Sequence, residues 1–321
     1  MGVWLVDADV LARSRFVVSP LVETVAALKT LAGLSPVLPA QRVWLDTHRP
    51  GYLARLAADP FTEAFVRTVF QPRWVADFVV TPPVDSDGTF ATELRRVRGT
   101  SPRVARADLG SERSSPLPVE LHGDDLPDRA ADLLDWVWTR TVRPDWSRRR
   151  RLLEADIVSR THQLSSGGWG AAIDGMRPGM RWLGNGRLQV NGHDLPPQDL
   201  TGAQLSFIPS MSSWGCVGSA EPNGYTVVYP CSGLLADPAV AAPPRALSAL
   251  LGPVRATILT QLAAPRTPTQ LVALTGYGLG SVGGHLKVLR DAQLVRRRRS
   301  GRTVLYYRTP GGDRLVEMRP G

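Results

Sequence analysis

The sequence predicts an α+β protein, in which a mainly helical N-terminal body with a small antiparallel sheet precedes a smaller C-terminal domain. A chain of 321 residues is long enough for about two domains, and its 43% hydrophobic residues can supply their cores. Helical spacing of apolar residues dominates as far as residue 164, and short runs between turn residues follow from 179. The Pro-rich segment 237–245 then separates a body, 1–240, from a domain, 245–310, and a C-terminal tail, 311–321.

Five segments of the body have the apolar periodicity of helices. They are 21–34, 41–59, 60–70, 128–142 and 144–164, the last with Pro144 at its start. The later runs MRWLG, NGRLQVNG, QLSFIPS and GYTVVYP are typical of short strands, and MGVWLVD at the N-terminus could add an edge strand.

Several classes of function have no support in the sequence. It contains no stretch close to the roughly 20 apolar residues of a membrane span and no signal-peptide pattern, so we expect a cytoplasmic protein without a membrane partner. Cys216 and Cys231 form neither a CxxC pair nor a zinc pattern and are expected to be buried, reduced thiols. The body lacks HExxH, GxSxG, a P-loop and a GxGxxG between a strand and a helix. We therefore predict no catalytic residue, no metal site and no cofactor.

The positive charge is concentrated near the C-terminus. Residues 245–308 contain eleven basic side chains and one acid, Asp291, a net charge of +10. Since the whole chain carries +9, the remaining residues sum to −1. A compact segment with all the excess charge is typical of a nucleic-acid-binding module.

The order of elements in this segment favours a winged helix-turn-helix. ALSALLG and PVRATILTQLAA predict two helices, and Thr267 with Pro268 predicts the start of a third, TQLVALT, which Gly276 ends. A fourth helix is predicted from about Gly280 to Ala292. LVRRRRSGRTVLYYR then predicts two short strands around Ser300 and Gly301, with a basic tip.

The stretch HLKVLRDAQLV, followed by a basic glycine-containing hairpin and a Tyr-rich strand, resembles the DNA-binding region of the ArsR/SmtB family of bacterial winged-helix repressors. The region that begins LARSRFVVSPLVETVAAL resembles the long N-terminal extension of some ArsR-like regulators of GC-rich bacteria. The resemblance implies a nucleoid-associated transcriptional regulator, a homodimer that places one recognition helix per subunit in successive major grooves of double-stranded DNA at an inverted repeat. Metal-sensing relatives carry a cysteine pair on the preceding helix, whereas TPTQLVALTG here has none.

The predicted DNA-contacting residues lie on the third helix, the fourth helix and the hairpin. They are Thr269, Gln270, Ser281, Gly283, Gly284, His285, Lys287, Arg290, Arg296, Arg297, Arg298, Arg299, Ser300 and Arg302. Helical geometry places Val282, Leu286 and Leu289 on the inner face of the fourth helix, which leaves Gly284 and Lys287 on the outer face.

Alternatives remain for each part of this prediction. The glycines could let the helix approach DNA closely. They could instead accompany few base contacts, with most affinity coming from arginine contacts to phosphate and from DNA shape, or they could permit tight packing within the domain. The arginine run contacts phosphate and the minor groove, or is a solvated edge that prevents aggregation. His285 packs or contacts phosphate.

The body supplies dimer contacts and could sense a small-molecule effector in an apolar pocket lined by some of the nine tryptophans. The alternative function is nonspecific nucleic-acid binding, protein interaction, or an enzyme of unrecognised type.

Overall fold

The chain folds as a mixture of helices and small sheets. The computed structural model describes residues 2–38, 41–71, 74–83, 88–111, 113, 115–193, 195–220, 224–231, 243–263, 265–275, 277–300 and 303–317. In the N-terminal part the elements are β1 (Val3–Leu5), α1 (Ala8–Arg13), β2 (Arg15–Phe16), α2 (Pro20–Leu31), α3 (Arg42–Ala58), α4 (Pro60–Val69), β3 (Phe70–Gln71), β4 (Trp74–Val75), α5 (Phe90–Arg98), α6 (Pro102–Gly110), α7 (Leu126–Val137), α8 (Trp146–Ile173), β5 (Arg181–Gly184), β6 (Arg187–Gln189), β7 (Gln198–Asp199), β8 (Gln204–Ser210), β9 (Val217–Ala220) and β10 (Gly224–Pro230). In the C-terminal part they are α9 (Arg245–Leu251), α10 (Pro253–Gln261), α11 (Pro268–Thr275), α12 (Leu279–Asp291), β11 (Val295–Ser300), β12 (Thr303–Arg308) and α13 (Pro310–Glu317).

The five predicted body helices are confirmed, and two of them, α2 and α4, begin with a side-chain cap. Ser19 accepts the Val22 N–H at 3.0 Å, directly before Pro20 of α2. Asp59 accepts the Phe61 N–H at 3.2 Å, directly before Pro60 of α4. A polar cap followed by proline satisfies a backbone donor and sets the first helical φ, so the sequence marks these starts clearly.

Two helices differ from their predicted form. The segment predicted as 128–142 is α7 followed by one π-helical turn, Trp138–Val142. The segment predicted to end at 164 continues to Ile173, although Gly168 has φ +69° and interrupts the helical backbone. A glycine at positive φ accommodates this break without a side-chain clash.

The predicted single antiparallel sheet is wrong. Two four-stranded sheets form instead, and both mix parallel and antiparallel pairs. β8 and β10 run parallel because β9 intervenes in the chain and pairs antiparallel with the far edge of β10. β1 is an interior strand, not an edge strand, since it lies between β6 and β7. Apolar alternation predicts strands but gives no direction, which is why the sequence pattern did not distinguish these arrangements.

The sheet of β2, β8, β10 and β9 separates two hydrophobic cores. Ile208 and Val228 face the helical core built around α2, whose twelve residues are all buried. Phe207 and Val227, the next residue back on each strand, face the second core beneath β1 and β6. Because successive side chains of a strand point to opposite faces, one sheet holds both cores together.

The C-terminal part has a hydrophobic core of its own. It contains Leu259, Leu271, Leu286 and Val295, from four successive elements, and Leu315 of α13 packs against it. The segment assigned to a C-terminal tail therefore includes a helix. Its start is fixed by Thr309, which accepts the Gly312 N–H at 3.1 Å, a cap that the sequence analysis missed.

Candidate nucleic-acid interface

Helix α12 has one buried face and one exposed face. Val282, Leu286 and Leu289 are buried in the C-terminal core, as their spacing predicts. Ser281, Gly283, Gly284 and Lys287 are exposed on the outer side. This face therefore carries the hydroxyl of Ser281, the ammonium group of Lys287, the carboxylate of Asp291 and the apolar side chain of Val288, with uncovered backbone at the glycines.

The glycines of α12 do not serve packing within this chain. A Cβ built on Gly280, Gly283 or Gly284 would meet nothing within 4 Å. The alternative that they allow a tight contact inside the domain is therefore wrong for the described residues. The three glycines therefore lie exposed on the outer surface of α12, and we call this surface the glycine face (Gly280, Gly283 and Gly284).

The two remaining predicted residues of α12 are half-buried. His285 lies at the edge between the buried and exposed faces, as predicted. The Arg290 guanidinium lies 3.3 Å from a carboxylate oxygen of Asp291, and both groups remain accessible. An exposed pair of this kind is weak, so Arg290 can exchange Asp291 for another anion at little cost.

The predicted hairpin is an antiparallel pair, β11 and β12, that joins Val295 to Arg308 and Ser300 to Thr303. Arg296, Arg297, Arg298 and Arg299 are all exposed. Alternation along the strand puts Arg297 and Arg299 on the side of buried Val295, and the other two on the opposite side. The arginines therefore form two pairs with different orientations. Ser300 ends β11, and Arg302 lies outside the described residues.

Two of the basic residues in 245–308 have structural roles. Arg266 is 2% exposed, and its backbone exchanges two hydrogen bonds with Tyr306, at 2.9 and 2.8 Å, which adds a short bridge to the outer edge of β12. The Arg308 Nε lies 2.9 Å from a carboxylate oxygen of Asp313 on α13. The exposed charge is therefore carried mainly by Lys287 and the arginines of β11.

Thr269 and Gln270 have neighbours that the sequence did not predict. The Gln270 side chain accepts the Thr267 N–H at 2.9 Å while Thr267 accepts the Gln270 N–H at 3.1 Å, a reciprocal cap at the start of α11. Thr269 lines a groove of about 360 Å³ between α8 and the turn before α12. Ala155 and Val158 of α8 form its opposite wall. We call it the α8 groove (Arg151, Glu154, Ala155, Val158, Thr269, Val272, Tyr277, Gly278 and Leu279).

Helix α8 connects this groove to the centre of the body. One side packs against α11. On another side, the Arg149 guanidinium lies 2.7 Å from Glu23, a 2%-exposed residue of α2 that also accepts the Ser210 hydroxyl at 3.0 Å and the Met211 N–H at 2.9 Å. A single helix thus contacts both the buried centre of the body and the helix that precedes α12.

Three further features of the described residues bear on the kind of site that the chain contains. No group of three or more His, Cys, Asp or Glu is placed to hold a metal ion. No described helix combines the length and apolar character needed to cross a bilayer. Both cysteines are buried thiols outside any disulfide, and burial raises the pKa of Cys216 to about 12.

Comparison with known proteins adds no assignment, since no family model, curated protein or solved structure matches this chain.

Proposed function

We propose that residues 245–317 form a winged helix-turn-helix domain that binds double-stranded DNA, with α12 as the recognition helix and the β11–β12 hairpin as the wing. The order of elements supports this proposal. Helices α10, α11 and α12 contribute to one core, and only residues 276–278 separate α11 from α12. The Arg266 bridge to Tyr306 fixes the hairpin to the segment before α11. The hairpin is thereby held beside the helix pair, as a wing requires.

The observation that carries the proposal is the exposed positive charge on α12 and on the hairpin that follows it. Lys287 lies on the outer side of α12, and Arg296, Arg297, Arg298 and Arg299 extend along the adjacent hairpin, all exposed to solvent. Cations that neutralise DNA phosphates release bound counterions, and this release supplies most of the nonspecific affinity of DNA-binding proteins. The four arginines point to two sides of the hairpin, which suits a wing whose tip contacts both walls of a groove.

The start of α12 supplies a further contact for phosphate. Gly278 occupies the N-cap position, and no side chain caps the first backbone N–H groups. Such groups carry partial positive charge and bind anions well. Gly280 adds no side chain to this turn, whose exposed side chains are those of Leu279 and Ser281.

We further propose that the chain acts as a homodimeric transcriptional regulator of the ArsR type, in which the body controls the DNA-binding domain through α8. A rearrangement of the body that moves α8 would move α11, because the two helices pack together. Rigid helices shared between two sites are suitable carriers of such coupling. An effector that binds the body would then change the spacing of the two recognition helices.

Selection from random duplex DNA with the full-length protein tests this function. We expect enrichment of a pseudo-palindromic motif whose half-sites lie about one helical turn apart. Lys287→Ala should weaken binding to the enriched motif, whereas replacement of an exposed arginine on α4 of the body, Arg67→Ala, should leave it unchanged. Salt-sensitive binding without an enriched motif would instead favour a nonspecific nucleic-acid-binding protein.

A further inference from the structure

We propose that a cavity of about 200 Å³ in the N-terminal body binds a small organic cation, such as a quaternary ammonium compound. The cavity lies between the two four-stranded sheets, and we call it the Asp77 cavity. Its principal lining residues are Trp4, Trp74, Asp77, Gln198, Ser219 and Tyr225. This site is separate from the DNA-binding region, and the proposal does not depend on DNA binding.

The aromatic wall suits a cation. Trp4 of β1 and Tyr225 of β10 lie edge to face, with ring centroids 5.4 Å apart, and Trp74 is a third ring in the lining. The Gln198 side-chain amide donates to the Tyr225 hydroxyl at 2.8 Å, which holds that ring in place. Aromatic rings attract cations through the negative potential of their faces, most strongly where water is excluded.

Asp77 supplies the complementary negative charge. The Ser219 hydroxyl donates to its carboxylate at 2.6 Å, and Gly218 leaves room for the group, since a Cβ there would lie 3.2 Å from Oδ1. Burial raises the pKa of Asp77, and the nearby Asp77 charge contributes to the raised pKa of Asp108, about 6. Two half-buried carboxyl groups close to each other repel when both are ionised, and a bound ammonium group would relieve that repulsion.

The described lining of the cavity provides no counterion for this carboxylate. Within the described part of the chain, the cavity lining has no Lys, Arg or His, although the sequence contains 38 Lys and Arg residues. A buried carboxylate is ordinarily paired. Three aromatic rings and one acid, in a space large enough for a molecule the size of choline, therefore favour an external organic cation over an anion or a sugar.

Isothermal titration calorimetry with choline tests the site in the full-length protein. The neutral comparison ligand is 3,3-dimethylbutan-1-ol, which has the shape of choline without its charge. We expect choline to bind at millimolar concentrations or below, and the neutral alcohol to bind at least about tenfold more weakly, since a partly desolvated cation–π contact with a carboxylate exceeds 1.4 kcal/mol.

Two variants show whether the cavity is the site. Asp77→Asn keeps an acceptor for the Ser219 hydroxyl and should weaken choline binding by at least about tenfold, the loss expected on removing the charge. Asp124→Asn is the matched control, because Asp124 is exposed and pairs with Arg106 outside the cavity. The melting temperature of each variant verifies folding. Equal binding of the alcohol and choline, unchanged binding in Asp77→Asn, or no binding of choline would each overturn the proposal.

Discussion

Replacing Gly284 by alanine should stabilise the folded C-terminal part while weakening its contact with DNA. The added Cβ would meet nothing within 4 Å, so the substitution introduces no clash. A glycine in the middle of an exposed helix costs about 1 kcal/mol relative to alanine. Gly284→Ala should therefore slow hydrogen exchange of the α12 amides about fivefold, if those amides exchange through opening of this helix.

The same variant separates close approach from the other interpretations of the glycine face. If DNA backbone or bases contact Gly284, the methyl group weakens binding even though the helix is more stable, and Gly284→Arg abolishes it. Fluorescence anisotropy with a labelled duplex measures both effects. Gly51→Ala is the matched control, since Gly51 lies inside α3 of the body and its added Cβ would also meet nothing within 4 Å. Retained binding in Gly284→Arg would refute close approach.

Three further predictions concern the wing and the buried acids of the body. Arg299→Ala should weaken binding to all DNA sequences and reduce the slope of log K against log salt concentration by about 1. An unchanged slope would show that Arg299 does not contact DNA. Glu93→Gln should flatten the dependence of stability on pH. Burial raises the pKa of Glu93 from 4.5 to about 7, so the folded protein holds this proton more tightly and loses about 3 kcal/mol of stability as pH rises through that range. Denaturation at several pH values measures this loss, and an equal loss in the variant would contradict the assignment. Arg149→Ala should lower the free energy of unfolding by about 3 kcal/mol, because it leaves buried Glu23 without its cation. Arg67→Ala removes an exposed ion pair and should lower it by less than about 1 kcal/mol. Equal losses in urea denaturation would contradict this reasoning.

The sequence predicted helices well where a cap, a proline and an apolar period coincide. Ser19 and Pro20 mark α2, and Asp59 and Pro60 mark α4. Helix α5 was missed although Phe90, Leu94 and Val97 have helical spacing, because no proline marks its start after Thr89. Strand direction was not predicted either. The parallel pairing of β8 with β10 depends on where β9 docks and not on the residues of either strand.

The buried and exposed faces of α12 were predictable from the sequence, whereas the elements that pack around α11 and α12 were not. The spacing of Val282, Leu286 and Leu289 correctly placed the glycine face outside. The helical period cannot reveal which element packs against α11, so the α8 groove and the neighbours of Thr269 were missed. The Asp77 cavity was missed for a similar reason, because its walls come from separate segments of the chain, which contain Trp4, Asp77, Gln198 and Ser219 and meet only in the fold.

The most direct test of the central claim is a DNase I footprint of the full-length protein on the DNA upstream of its own gene. The proposed function predicts a protected inverted repeat, with half-sites about one helical turn apart and protection that Lys287→Ala weakens. Uniform, salt-sensitive protection without a defined site, or no protection at all, would contradict the assignment of this chain as a sequence-specific regulator.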